Sequence, residues 1–171
     1  MLDFEQYDSA FAKHHDTLDR SIVPILSWDF HREYLDEVNK IFADCNKLDL
    51  IASNSKWSEY DWDFKNKLKE EVVIVTDAKL SIVFASHNIT KMNGYKEVEV
   101  IGKSPKMFQG SASSITTSSE IRKAIQLRQP FEKTVLNYNK NGETYLCLIK
   151  GFPVFNSKGN LSHFIAFEKA A

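Results

Sequence analysis

The side chains that could do chemistry in this chain are few and scattered. Its only cysteines, Cys45 and Cys147, lie far apart with no close-spaced partner, so neither a zinc site nor a disulfide framework is indicated. The histidines include the neighbours His14 and His15, but no HxxxH or HExxH spacing sets two imidazoles on one helical face as metal ligands. The loop IGKSPKMFQG, residues 101–110, gathers two basic groups and Gln109 between glycines. It lacks the GxxxxGK[ST] spacing that would cradle a phosphate, and no paired carboxylates or Ser/His/Asp set supports hydrolysis. These residues predict a binding or regulatory protein and not an enzyme.

The elements that must position them divide into two textures. The 171 residues suffice for one domain of common size with an extension, and 43% apolar with 26% charged residues is the balance of a globular chain. A formal net charge of -1 gives no field that would attract nucleic acid or an anionic membrane. The start MLDFEQYD lacks the cationic flank and apolar centre of a secretory signal, and no run is long and apolar enough for a membrane span, so the expectation is a cytoplasmic protein.

Through residues 1–69 the apolar positions recur every three or four residues, the rhythm of amphipathic helices. Phe4, Tyr7, Phe11, His14 and Leu18 form one stripe. Leu35, Val38, Phe42 and Cys45, flanked by Tyr34, Ile41 and Leu48, form a broader one opposite Glu33, Asp36, Glu37, Asn39 and Lys40. A further helix is expected from Ser58 as N-cap, with Asp61 in its first turn and Tyr60, Phe64 and Leu68 on one side. Trp57 and Trp62 fit either a docking surface or a core cover, the second being the commoner use of large aromatics.

From residue 70 to 171 the period changes to two. Strands are expected at 72–76, 82–85, 131–138, 145–155 and 161–168, with DAKLS, NKNG and NSKGN as hairpin turns. Short helical pieces fall near 88–92 and 97–100, and Thr117 with Glu120 reads as the capping box of a longer helix that stops before Pro130. The order implies an α+β fold, a five-stranded antiparallel sheet with helices gathered on one face and a helical extension before it.

The segments VTDAKLSIVFASHNITKMNGY, EVEVIGKSPKMFQG, FEKTVLNYNKNGETY and FPVFNSKGNLSHFIAFE, taken in order, resemble a PAS domain and within that family the LOV subgroup of flavin-binding blue-light sensors. The likeness spans about residues 70–168. In photoactive members the loop is similar to GRNCRFLQG, whose cysteine adds to the excited flavin; laid on this chain, that position is Pro105, which has no nucleophile. The resemblance therefore implies a sensor without the light-driven cysteinyl-flavin bond.

It also implies a pocket built from Ser104, Pro105, Lys106, Gln109, Asn137, Cys147 and Glu168. Gln109 and Asn137 keep the amides that grip a flavin's polar edge, whereas Cys147 and Glu168 stand where the family has asparagine and glutamine. A thiol donates and accepts weakly and an ionised carboxylate only accepts. Each mismatch leaves a buried flavin group unpaired at about 1–3 kcal/mol, so FMN is expected to bind weakly or not at all. Lys106 keeps a cation at the family's phosphate-binding position, without the fork of an arginine. Glu99 and Lys140 match a surface ion pair common in the subgroup.

Alternation then sends Val73, Val75, Leu146, Leu148, Ile165 and Phe167 to the other sheet face, which needs a cover. The N-terminal helices, from the same chain or a second copy, are the expected lid. Phe4, Phe11, Leu35, Val38 and Phe42, with those six sheet positions, are the expected homodimer interface. The expected function is a sensory protein acting through contacts with an unidentified signalling partner and holding a small-molecule ligand. A flavin photoreceptor working by photoreduction remains the second reading.

Overall fold

Strand formation starts where β-branched residues crowd together. The computed structural model describes residues 25–58 and 62–171, the side chains of 25–31 excepted. The strands are β1 (Val72–Asp77), β2 (Ile82–Ala85), β3 (Phe131–Tyr138), β4 (Thr144–Phe155) and β5 (Leu161–Ala170). All their pairings are antiparallel, in the order β2-β1-β5-β4-β3, so the last strand in sequence lies at the centre. The five-stranded α+β architecture expected from the sequence is present.

One device builds all three hairpins. Asp77, Asn139 and Asn156 each turn a side-chain oxygen onto two backbone N–H groups further along, at Lys79 and Ser81, at Asn141 and Glu143, and at Lys158 and Asn160. A short polar side chain thus mimics a turn of backbone. Gly142 and Gly159 supply the left-handed residue in the latter two, at φ 86° and 76°.

The helices are α1 (Ile25–Asn54), α2 (Phe64–Glu70), α3 (Ile89–Asn93), α4 (Glu97–Val100) and α5 (Ile115–Gln126), with a 3-10 turn at Pro105–Phe108. By contacts the chain divides into two compact units, Met1–Glu37 and Val38–Ala171. In the first, the described residues belong to α1, and Tyr34 and Leu35 are exposed. The stripe from Phe4 to Leu18, and Tyr60 and Asp61, lie outside the described residues.

In the second unit one apolar cluster covers the outer sheet face. Ile41, Leu48 and Ala52 of α1, Phe64 and Leu68 of α2, and Trp57 between them pack on Val73, Val75, Ile165 and Phe167, each of which is at most 3% exposed. Trp57 donates its indole N–H to His163 Nδ1 at 3.0 Å, and Trp62 packs its ring against Phe152 and Phe167 with centroids 5.1 and 5.7 Å away. Both tryptophans are therefore part of the cover. A second cluster, with Ile74, Ile82, Ile89, Val100 and Phe108, fills the region between the other face and the short helices.

Four expectations need correction. The buried seam of α1 runs through Ile41, Asp44, Leu48 and Ala52, leaving Val38 and Phe42 exposed at 42% and 67%. Asp44 sets this rotation, because its carboxylate accepts from the backbone N–H of His87 at 2.8 Å and meets His87 Nδ1 at 2.7 Å. The backbone N–H and hydroxyl of Ser58 both donate to the carbonyl of Phe155, and α2, expected from Ser58, is described from Phe64 with Asp63 at its N-cap position. Ser114 rather than Thr117 caps α5, accepting from the Thr117 N–H at 3.2 Å. Finally, Val73, Val75, Ile165 and Phe167 are filled by their own chain and present no surface to a second copy; of the other proposed sheet contacts, Leu146 is 49% exposed and Leu148 half-buried.

Candidate ligand-binding site

The inner face of the sheet, α5 and the 101–110 loop enclose a cavity of about 750 Å³. The loop is held at both ends. Gly102 N–H donates to the Ile82 carbonyl and Ile82 N–H to the Lys103 carbonyl, while Phe108, 2% exposed, anchors the 3-10 turn in the inner cluster beside Tyr95. Past the turn, Tyr138 lies so close over Gly110 that an added Cβ would come within 2.6 Å of its ring. Its phenol oxygen accepts from the Ala112 N–H at 3.0 Å. Gln109 Oε1 accepts from the Ser118 hydroxyl at 3.3 Å, tying the loop to α5. On the far wall an added Cβ at Gly151 would meet the Phe131 ring at 2.4 Å, so any larger residue must displace that ring.

Six of the seven expected pocket residues, Ser104, Pro105, Lys106, Gln109, Asn137 and Glu168, line the cavity. The seventh, Cys147, does not. It is fully buried behind Glu168, its Sγ 3.7 Å from Glu168 Oε2. Both cysteines are free. The sequence reading missed Thr76, Ser118, Arg122, Phe131 and Gly151, which also line the cavity. The helical spacing of Ser118, Ile121, Arg122 and Ile125 was the available signal, since it puts one face of α5 toward the loop.

The cavity carries polar groups both at its solvent border and in its buried wall, among apolar lining residues. Lys106 and Arg122 are exposed where they border it. Asn137 and Glu168, 3% and 4% exposed, are buried. Glu168 sits on the central strand, opposite Val72 of β1 and Ile149 of β4. Burial pushes its carboxyl up to about 7, with the Cys147 thiol pulling slightly the other way. Burial also raises the Cys147 thiol, and the neighbouring Glu168 charge adds to it. The Tyr145 phenol is pushed up to about 12, again mainly by burial. The Tyr145 hydroxyl and Asn93 Nδ2 are buried, and Asn93 and Asn137 pull against the burial that raises the phenol. Gln109, Asn137 and Glu168, which line the cavity, can grip a ligand by hydrogen bonds, whereas the Cys147 thiol, kept protonated, is a poor nucleophile. Glu99 and Lys140 do pair, at 2.6 Å, on the exposed surface.

Comparison with known proteins places the architecture. The chain is 38% identical over 98 residues to Protein TWIN LOV 1 of Arabidopsis thaliana, covering 55% of this chain and 25% of that protein. It is 33% identical over 87 residues to the blue-light-activated histidine kinase of Brucella ovis, covering 51% of this chain and 18% of the kinase. The chain thus spans about a quarter or less of the length of these curated relatives. In fold it is similar to the dark structure of the photoreceptor Aureochrome1 LOV, with a TM-score of 0.60 at 24% identity over 67% of this chain and 86% of that one. It is likewise similar to the LOV domain of a blue-light activated histidine kinase from Erythrobacter litoralis, with a TM-score of 0.56 at 18% identity over 58% of this chain and 94% of that one. The PAS domain family model matches residues 70–169, more than half of the chain, and the chain belongs to that family.

Proposed function

We propose that this chain is a non-enzymatic sensory PAS protein of the cytoplasm that holds a small molecule in the cavity and passes its occupancy to a signalling partner through the helices on the outer face. One observation carries the reading: β5 lines the cavity with Phe164, Ile165, Ala166 and Glu168, and the same strand packs Ile165 and Phe167 under α1 and α2, so Ile165 belongs to both sides. A strand pushed from within must move what lies against its other side, because packed interiors do not absorb displacement.

The reading excludes thiol photochemistry. Pro105 lines the cavity at the loop position where the resemblance puts the reactive cysteine, and Cys147 is screened by Glu168. The donor set also fits a flavin poorly. Lys106, Arg122, Gln109 and Asn137 suit one, but an ionised Glu168 would face the carbonyls of the ring edge acceptor to acceptor.

Native mass spectrometry of protein purified from its host tests the proposal. The expected result is a ligand held by the folded chain and lost on denaturation. Persistent absence of any ligand would overturn the sensing role, and a flavin surviving denaturation after blue light would overturn the exclusion of thiol chemistry. A yellow protein that photoreduces without forming an adduct would favour the photoreceptor reading.

A homodimer belongs to the same proposal. Its contact is the exposed face of α1 at Val38 and Phe42, so Phe42→Glu should shift sedimentation toward the monomer while the circular dichroism of the folded chain is kept.

A further inference from the structure

The buried carboxylate of Glu168 has no cationic counterpart among the described residues. No lysine, arginine or histidine among the described residues pairs with it. The groups set against it are neutral: the Cys147 thiol, 3.7 Å from its Oε2, and the Tyr145 phenol, both on β4. Lys169, its neighbour on β5, is exposed and approaches Glu70 instead, while Lys106 and Arg122 border the cavity where it meets solvent. A buried charge is tolerated when it is paired and hydrogen-bonded. The Cys147 thiol is its one side-chain donor among the described residues, and the side chain lines the cavity, so a ligand there can bring the donors that the ionised form needs.

We propose that the cavity takes a planar heteroaromatic ligand with an amidine-like or aminoazine edge, two adjacent N–H groups that bind the Glu168 carboxylate side by side. This rests on the reading of the cavity as a ligand site and names the class of ligand. Paired N–H donors on one carboxylate form the strong, geometrically selective kind of hydrogen bond. The amides of Asn137 and Gln109 can each donate or accept and so tolerate the rest of the ring, while Ile74, Phe108 and Ile149 supply apolar wall. An imide edge of the flavin type, carbonyl, N–H, carbonyl, would set two acceptors against a third.

The test uses the full chain and two probes of similar size, a diaminopteridine with the donor edge and lumichrome with the imide edge, each titrated by fluorescence. The expected result is that wild-type protein binds the diaminopteridine at least about tenfold more tightly, the effect of one mismatched buried hydrogen bond. Glu168→Gln reverses the order, and Glu168→Asp, which keeps the charge, retains it. Thermal melts establish that each variant folds, and Glu168→Asp carries the comparison if Glu168→Gln does not. Equal affinities, tighter lumichrome binding by the wild type, or an order unmoved by Glu168→Gln would overturn the inference and leave the ligand-site reading intact. Binding of neither probe would overturn it as well, and native mass spectrometry then decides separately whether the cavity holds any ligand.

Discussion

Glu168 ties stability to pH in a direction that can be worked out. Its carboxyl has an ordinary value of 4.5 and is raised to about 7 in the fold, so between these values the folded chain holds a proton that the unfolded chain has released. Its contribution is fully present below about 4.5 and is lost as pH rises toward 7, at up to about 1.4 kcal/mol per pH unit. Glu168→Gln should flatten that slope, measured as urea midpoints at acid and mildly alkaline pH; an unchanged slope would mean the carboxyl is not desolvated. Gly110→Ala should cost about 1–3 kcal/mol, because the new methyl must displace the Tyr138 ring that pins the loop. At this scale the family motifs made Gln109, Asn137 and Glu168 readable. Thr76 was not, because its role depends on which strand face the fold turns inward and no local motif records that, while Arg122 was signalled only by the helical spacing of α5.

At the scale of elements, the cover on the outer face divides α1 into energetic and neutral positions. Leu48→Ala should destabilise by about 2–5 kcal/mol, as for a fully buried leucine, whereas Phe42→Ala should stay within about 0.5 kcal/mol for a monomer in chemical denaturation. Trp57 gives the cover a second pH response. Its N–H donates to His163 Nδ1, which must then be unprotonated, and burial lowers the His163 imidazole below its ordinary 6.5. The stabilisation is therefore present above 6.5 and is lost as pH falls below it, so acidification should red-shift Trp57 emission, and His163→Gln should weaken that response. The strands and hairpins were legible because a period of two and Asx-type turns are local signals. The seam of α1 was not, since its broad apolar stripe left the rotation open until Asp44 met His87 across the fold. The start of α2 was hidden for the same reason: Ser58 is drawn to the end of β4 by a long-range backbone pairing.

For the molecule as a whole, the two-sided apolar sheet was visible in sequence as Val73, Val75, Ile165 and Phe167 alternating with pocket residues, but not what would cover it. The cover comes from the same chain, which makes β5 a partition between a cavity and a helical surface. Hydrogen exchange tests most directly whether that partition transmits. Ala166→Leu extends a side chain from β5 into the cavity without touching the outer face, imitating occupancy from within. The account predicts that amide exchange in α2 and in residues 41–52 of α1 changes several-fold relative to wild type, while an exposed control, Leu127→Ala, leaves it alone. Exchange that changes only around the cavity, with both cover helices unmoved, would contradict it.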